Sequence, residues 1–588
     1  MASTNLPFAG IDDESGYPSA LTLLFEDYGS GFFPRSLAEL TIAKIVGSIR
    51  EKEEWWIKAQ NPEIVAKWRQ EAFDHLMATF FDHSTNANEE YIAKMVSYAM
   101  DEAQWFAQKY QNETVRPAAV EGVFERHDLA NSTLHTQLLT ALAALRARPA
   151  IGTDHEDRHP GTPQMIDLVH PSMYAYERGK THILPNVGAE ATAMPAWKDF
   201  LGKDGVVEPE PAEQNRYNRF DGPSSKAGLQ WLPSEFRVSA DGEHCAIQSY
   251  INSLHPETDA ELYSLIGELF CHALPLCEKV LSEAGKHYAL RVHNANDVVR
   301  QRKIRLLDND SWWEGSPRDQ AEGEDDDAYY EYLDEWEEDS SNRTFRHPEV
   351  PNFSPPRYTR TAAEANLRDR PLQVITKFAS LELAPGESYG GGVWHVEGTL
   401  HERIVCTVCY YLESENIEDV QLAFRTSVEE PDYEQSDYRG VENMYGLADE
   451  EALVQDIGSC TTKQGIALAW PNTQQHCVGP VALKDATKPG KRTICCFFLV
   501  DPELRIRSTA TVPPQQLAWV TETVQPLLAS RLAEMALQEK VSAHLESPSL
   551  LTYDAACERR ERLMDERRAS NEDFQESALS RPFSLCEH

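Results

Sequence analysis

Two histidines and one glutamate have the types and spacing of a metal-ligand set. His395 and Glu397 lie two residues apart, and His476 follows further along the chain. Alternate residues of a strand point to the same face, so His395 and Glu397 can aim at one point. Two imidazoles and one carboxylate leave the opposite side of a metal open, which is typical of non-haem iron(II) oxygenases. We therefore predict that His395, Glu397 and His476 bind iron(II).

The segments around these residues have the composition of β-strands. Their content of β-branched and aromatic residues, and the Gly and Pro at their boundaries, predict strands. Several short strands in succession suggest a jelly roll or a barrel. Helical spacing of apolar residues is found on both sides, over most of 36–150 and again over 513–580. The predicted strands are 373–378, 404–411, 420–425, 465–470 and 493–500.

The residues that follow His476 include two candidate cations. Lys491 and Arg492 come directly after Gly490 and open an apolar strand. The order His-x-acid, distal His, basic residue resembles the double-stranded β-helix of iron(II)/2-oxoglutarate-dependent dioxygenases, in particular the prolyl-hydroxylase-like branch. This resemblance implies 2-oxoglutarate and O2 as co-substrates.

The resemblance also assigns roles to the cations, because the distal carboxylate of 2-oxoglutarate needs a fixed positive charge. A guanidinium binds carboxylate at two points, which favours Arg492. Lys491 remains the competitor, since adjacent strand residues face opposite sides and only one of them can serve. The hydroxyl of Tyr389 is a further candidate contact to the co-substrate.

Several longer blocks resemble one fungal family that is catalogued as domain of unknown function 4246. The similarity extends over roughly residues 30–540 and implies nothing specific about the substrate. The fungal distribution of the family suggests specialised metabolism. The blocks are 230–234, 249–256, 394–399, 410–425 and 470–502.

The predicted fold class is α+β, with a double-stranded β-helix (jelly-roll) core flanked by N- and C-terminal helices. One segment breaks the composition, because residues 322–339 hold 11 acidic and no basic residues. We predict a solvated insertion or disordered loop there. The predicted regions are a helical part at 1–150, a mixed α/β part at 151–313, an acidic insertion at 314–345, the metal-binding core at 346–510 and C-terminal helices at 511–588.

Charge and cysteine content narrow the classes of partner. The formal net charge of −40 disfavours nucleic acid and anionic membranes as partners. The N-terminal residues do not have the pattern of a secretory signal, and no stretch is predicted to be long and apolar enough to span a bilayer. Eleven cysteines without regular spacing fit a reducing, cytoplasmic compartment. His155 and His159 lie in a Pro- and Gly-containing stretch, and we predict them to be surface residues.

The leading hypothesis is therefore an oxygenase that oxidises a C–H bond of a small molecule by hydroxylation, desaturation or ring formation. One alternative is a jelly-roll binding or scaffold protein without turnover. Another is a metal oxygenase that needs no keto acid. The sequence leaves the substrate and the oligomeric state open.

Overall fold

Helices and antiparallel strands share the chain, so the α+β class predicted from the sequence is confirmed. Among the described helices, none has both the length and the apolar content needed to cross a lipid bilayer. The predicted division into five regions stays a prediction. A computed structural model describes residues 17–23, 34–80, 88–148, 157–184, 198, 205–208, 228–284, 287–288, 318–338, 347–355, 358–360, 364–431, 438–523, 550–574 and 584.

The N-terminal part is mostly helical, as the spacing of apolar residues over 36–150 predicts. Ser36, Asn61 and Asn88 precede three of these helices, and each side chain accepts a hydrogen bond from a backbone N–H of the first turn. Their apolar faces pack into a core of their own around Trp55 and Met95. The helices are α1 (Ala20–Leu23), α2 (Leu37–Arg50), α3 (Trp55–Lys58), α4 (Pro62–Thr79), α5 (Glu89–Tyr110) and α6 (Thr133–Arg146).

The remaining helices lie between and after the strands. A short 3-10 helix, Leu400–Glu402, follows the predicted ligands His395 and Glu397. The later helices are α7 (Ala260–Ala284), α8 (Asp326–Glu338), α9 (Tyr438–Tyr445) and α10 (Tyr553–Phe574).

Eighteen strands occur in the described residues, and all of their pairings are antiparallel. The strands are β1 (Arg116–Pro117), β2 (Phe124–Arg126), β3 (Met165–Val169), β4 (Tyr176–Glu177), β5 (His182–Ile183), β6 (Val206–Val207), β7 (Leu229–Gln230), β8 (Ser234–Val238), β9 (Cys245–Ile247), β10 (His287–Tyr288), β11 (Tyr358–Arg360), β12 (Pro371–Leu383), β13 (Ile404–Glu415), β14 (Val420–Ser427), β15 (Val454–Thr462), β16 (Ala467–Pro471), β17 (Gln475–Val478) and β18 (Gly490–Val500).

A nine-stranded sheet forms the centre of the molecule, in the order β1-β2-β16-β13-β18-β12-β8-β9, with β3 also paired to β12. Side chains alternate between its two faces. On the outer face Phe497 and Phe378 pack against α7 through Phe270. The inner face carries Ile375 and Phe498. The five predicted strands coincide with β12, β13, β14, β16 and β18 to within a few residues at their ends.

A smaller sheet covers the inner face of the large one. Its order is β15-β14-β17, and Leu422 and Phe424 of β14 belong to the same buried cluster as Phe498 of the large sheet. The chain segment before β13 extends this sheet through isolated bridges, Tyr389 to Val481 and His395 to His476. The space between the two sheets therefore has the predicted metal ligands at one side.

The described part of the acidic segment contains helix α8, most of whose described side chains are exposed. The prediction of a solvated insertion or disordered loop over the whole segment stays a prediction. Asp326 and Asp327 occupy the first turn, where negative charge favours a helix. Just before the helix, Arg318 pairs with Glu324. Negative charge in the first turn and this ion pair thus favour a helix despite the acidic composition.

Candidate metal centre

His395 and His476 face each other across the edge of the smaller sheet. The backbone N–H of His395 donates to the carbonyl of His476 at 3.2 Å, and the reverse bond is 2.9 Å long. The two ring centroids are 4.3 Å apart. Two residues 81 positions apart in sequence thus form a directly opposed cross-strand pair.

Gly391 permits this close approach. Its φ of +98° lies in a region that residues with side chains rarely adopt. A Cβ at this position would lie 2.7 Å from the carbonyl oxygen of Val478. The glycine that precedes the ligands is therefore required both by its backbone angle and by the neighbouring strand β17.

Glu397 brings its carboxylate to both imidazoles, as strand alternation predicts. Its Oε1 lies 3.8 Å from Nε2 of His395 and 3.4 Å from Nε2 of His476. Lone-pair atoms of the three residues all lie within 4.8 Å of one another. The structure therefore brings together His395, Glu397 and His476, the three residues named from the sequence.

The backbone of Glu397 is held by Asn472, a residue to which sequence reasoning assigned no role. The fully buried Asn472 accepts from the Glu397 N–H at 2.8 Å and donates to the Glu397 carbonyl at 2.9 Å. It also donates to the carbonyl of Ile404 at 2.9 Å. Asn472 is a positioning residue, because its side-chain amide ties the segment that bears the Glu397 carboxylate to Ile404, the first residue of β13.

The charges of the trio suit a cation. Burial raises the pKa of Glu397, but hydrogen bonds and charge interactions with His395 and His476 outweigh it and hold the pKa well below its usual value. Burial, together with the neighbouring His395, lowers the pKa of His476. Burial also acts to lower the pKa of His395, yet the hydrogen bond and charge of Glu397 raise it overall. A carboxylate stays ionised beside two imidazoles.

The tautomer of His395 also fits a metal ligand. Its Nδ1 lies 2.8 Å from the carbonyl oxygen of Val393, which can only accept a hydrogen bond. Nδ1 therefore carries the proton, and in the neutral ring Nε2, 3.8 Å from Oε1 of Glu397, keeps a lone pair for a metal. This arrangement, in which a backbone carbonyl orients the ligand ring, is common among metal-binding histidines. The donor set thus fits a divalent transition metal.

Arg492 and Lys491 lie on opposite faces of β18. The buried guanidinium of Arg492 donates to Oγ1 of Thr462 at 2.5 Å and lies over the ring of Tyr411 at 4.6 Å. Lys491 instead pairs with Glu413, with Nζ 2.7 Å from Oε2. Arg492 is therefore the one of the two that enters the space between the sheets. Sequence reasoning missed Thr462 and Tyr411, although Tyr411 lies in a strand that it predicted.

Tyr389 lies near the same end of the space. It bridges to Val481 and packs in an apolar cluster with Leu381, which is the register partner of Arg492. Burial raises the pKa of Tyr389, so its hydroxyl keeps its proton at neutral pH. Its role as a contact of the co-substrate stays a prediction.

A second cluster, His159 with Asp167 and His170, also brings three metal-ligand types together. The prediction that His159 lies on the surface is wrong, because its Nδ1 contacts Oδ2 of Asp167 at 2.8 Å and its side chain is largely buried. His155 lies outside the described residues. The sequence around His159 is loop-like, but the residues that it meets lie elsewhere. Asp167 lies in β3, and His170 directly follows β3.

Two features make this second cluster a poorer metal site. Arg560 of α10 has its Nη1 3.5 Å from Oδ2 of Asp167, where it would repel a cation. Nδ1 of His170 accepts a hydrogen bond from the Ser172 N–H at 3.2 Å, so Nε2 of the neutral ring carries the proton and has no free lone pair. The opposite charges of Asp167 and Arg560 compensate each other, which explains this cluster without a metal.

Comparisons with known proteins give a family but no activity. A family model described as a protein of unknown function, DUF4246, matches residues 93–523, and the model of its N-terminal domain matches residues 3–71. No curated protein matches.

Two solved structures are similar over part of the chain. One is the selenomethionine-labelled Fe(II)/(alpha)ketoglutarate-dependent dioxygenase TqaL, with 10% identity, a TM-score of 0.19, and coverage of 63% of this chain and 90% of that one. The other is AviO1 from Streptomyces viridochromogenes Tue57, with 16% identity, a TM-score of 0.14, and coverage of 31% and 85%. TM-scores this low carry no argument for this protein.

Proposed function

The chain belongs to the DUF4246 family, and we propose that it is an iron(II)- and 2-oxoglutarate-dependent oxygenase that oxidises a C–H bond of a small molecule. The observation that carries this proposal is the convergence of His395, Glu397 and His476 within 4.8 Å. Two imidazoles and one carboxylate leave three positions of an octahedral ion for other ligands.

The strand order supports a double-stranded β-helix as the fold of the core. In chain order, the segments from β12 to β18 alternate between the large and the small sheet, apart from the paired β14 and β15. The large sheet contributes β12, β13, β16 and β18. The small sheet contributes the segment at 389–395 with β14, β15 and β17. Seven strands and one bridged segment, divided in this way between two facing sheets, are compatible with the proposed jelly roll.

Arg492 is the proposed anchor of the distal carboxylate of 2-oxoglutarate. The residue is 7% exposed, and its guanidinium has no carboxylate within ion-pair distance among the described residues. A buried cation without a carboxylate is costly, and a bound dicarboxylate would compensate it. The hydroxyl of Thr462, which itself donates to the carbonyl of Val420 at 2.7 Å, and the ring of Tyr411 hold the guanidinium in place. The ion pair of Lys491 with Glu413 argues against the lysine.

The chain positions the reactants and limits the access of water. Trp470 packs edge-on against His476 at 4.9 Å between centroids, and Phe424 lies 6.3 Å away, so the ring orientation is fixed by apolar neighbours. Asn472 fixes Glu397 as described above. When bound, iron(II) supplies the coordination chemistry that couples oxidation of 2-oxoglutarate to succinate and CO2 with oxidation of the substrate by O2.

Compartment and partners form part of the proposal. The ten described cysteines are free, and the Sγ atoms of Cys409 and Cys496 lie 3.2 Å apart as thiols. Such pairs support a reducing compartment such as the cytoplasm. The net charge of −40 favours a small molecule over nucleic acid or an anionic membrane as partner.

Anaerobic titration with Fe(II) and 2-oxoglutarate tests the proposal through the weak visible charge-transfer band of the ternary complex. We expect the band in the wild-type protein and its loss in His395→Ala. The matched control is His159→Ala, which removes a histidine of the second cluster and should leave the band unchanged. An unchanged band in His395→Ala would refute the site.

Two other results would favour the alternatives. Absence of the band in the wild-type protein is expected of a jelly-roll scaffold without turnover. Oxygen uptake that does not depend on 2-oxoglutarate is expected of a metal oxygenase that needs no keto acid.

A further inference from the structure

Lys377 lies on the inner face of the large sheet, beside the candidate metal centre. It alternates with Ile375, which belongs to the buried cluster between the sheets, and its register partner on β18 is Cys496. Its charge acts on His395 and on Cys496. A second cation therefore faces the space that holds the three predicted ligands.

Within the residues that the structure describes, the ammonium of Lys377 makes no hydrogen bond and no ion pair. The side chain is partly buried, but Nζ is not fully buried and so keeps contact with solvent. An ammonium has three N–H donors, and a carboxylate that replaced solvent there would accept from them and compensate the charge.

Two carboxylates in the surroundings of Lys377 have other partners. Asp167 interacts with Lys377 through charge at longer range, but its contacts are with His159 and Arg560. Glu397 is directed to the two imidazoles of the metal centre. Neither carboxylate lies within ion-pair distance of Lys377.

Lys377 is also well separated from the proposed 2-oxoglutarate anchor. The register partner of Arg492 on β12 is Leu381, four residues beyond Lys377. Four residues of strand span about 13 Å. One 2-oxoglutarate molecule that binds the metal and Arg492 leaves Lys377 for another ligand.

We propose that Lys377 binds a carboxylate of the substrate, which makes the substrate class a carboxylic acid small enough to enter between the two sheets. This inference rests on the proposed function, because the substrate is defined by its place beside the metal. The ammonium would hold one end of the molecule by a charge-assisted hydrogen bond. That contact would direct the remainder towards the open side of the trio His395, Glu397 and His476.

The test uses acetate and its neutral isostere acetamide as probes. Each is titrated anaerobically into protein saturated with Fe(II) and 2-oxoglutarate, and the visible charge-transfer band is followed. We expect acetate to perturb the band at lower concentration than acetamide. Lys377→Met should weaken the apparent affinity for acetate about tenfold or more, the loss expected for one charge-assisted contact.

Three variants complete the design. Lys377→Arg keeps the charge and should retain most of the response to acetate. Lys463→Met removes an exposed lysine on the smaller sheet and should behave as the wild type. In Lys377→Met the half-saturating concentration of 2-oxoglutarate should be unchanged.

Several results would overturn the inference while leaving the proposed function intact. These are an equal response to acetate and acetamide in the wild type, an unchanged response to acetate in Lys377→Met, and a loss of 2-oxoglutarate affinity in that variant, which would make Lys377 a co-substrate anchor. Absence of any band in the wild type would instead overturn the proposed function and this inference together.

Discussion

Replacement of Asn472 by alanine separates the positioning of Glu397 from the stability of the fold. The side chain makes three hydrogen bonds, to the N–H and carbonyl of Glu397 and to the carbonyl of Ile404. All three disappear in Asn472→Ala at a site with no solvent exposure. At about 1 kcal/mol for each lost hydrogen bond, the free energy of unfolding should fall by about 3 kcal/mol.

The variant should also bind metal more weakly, because Glu397 loses the group that fixes its backbone. Loss of a residue that orients a metal ligand typically costs about 10- to 100-fold in affinity. The assay is anaerobic Fe(II) titration at saturating 2-oxoglutarate, combined with urea unfolding of the same preparations.

Asn416 provides the matched control. Its side chain donates to the carbonyls of Asp485, Lys488 and Pro489, and these residues belong to the loop before β18. Asn416→Ala should therefore lower stability by a similar or larger amount, since Asn416 also has a φ of +51°. Its affinity for Fe(II) should remain that of the wild type. Equal metal affinities of the two variants would refute the positioning role of Asn472.

Three further predictions concern the anchor, the glycine and the second cluster. Arg492→Met should raise the half-saturating concentration of 2-oxoglutarate about tenfold or more, whereas Lys491→Met should leave it nearly unchanged; the reverse order would assign the anchor to the lysine. Gly391→Ala should lower the free energy of unfolding by about 2–3 kcal/mol, because backbone strain adds to the contact with Val478. Gly386→Ala is its control, since φ is also positive but no atom lies within 4 Å of a Cβ there, and equal losses in urea unfolding would exclude the steric contribution. The pKa of Asp167 is lowered to about 2 from its ordinary 3.8, because His170 and His159 outweigh the effect of burial. The ionised carboxylate therefore contributes about 2 kcal/mol above about pH 4, and the stability difference between the wild type and Asp167→Asn should shrink as the pH falls towards 2. A pH-independent difference in urea unfolding would contradict this origin.

The sequence predicts the metal ligands better than it predicts the residues that position them. Strand alternation suffices to place His395 and Glu397 on one face, and the structure keeps this alternation although only isolated bridges pair the segment with β17. His476 was included because a second imidazole completes the ligand types, although no local rule joins residues 81 positions apart. Asn472 lay in a recognised block, yet its role depends on contacts with two distant carbonyls.

The remaining differences arise from tertiary contacts. Alternation separates Lys491 from Arg492 but cannot tell which face of β18 points inwards, and that is decided by the packing of the smaller sheet. His159 was predicted to be exposed because Pro and Gly beside it indicate a loop, but its partner Asp167 is held by Arg560 of the distant helix α10. Sequence reasoning did not identify Lys377, because a single lysine in an apolar strand has no distinctive pattern.

The most direct measurement is the location of the metal by anomalous X-ray scattering at the iron edge, in crystals prepared anaerobically with Fe(II). The account predicts one strong peak within coordination distance of Nε2 of His395, Nε2 of His476 and a carboxylate oxygen of Glu397. A peak between His159, Asp167 and His170, or no peak at either cluster, would contradict it.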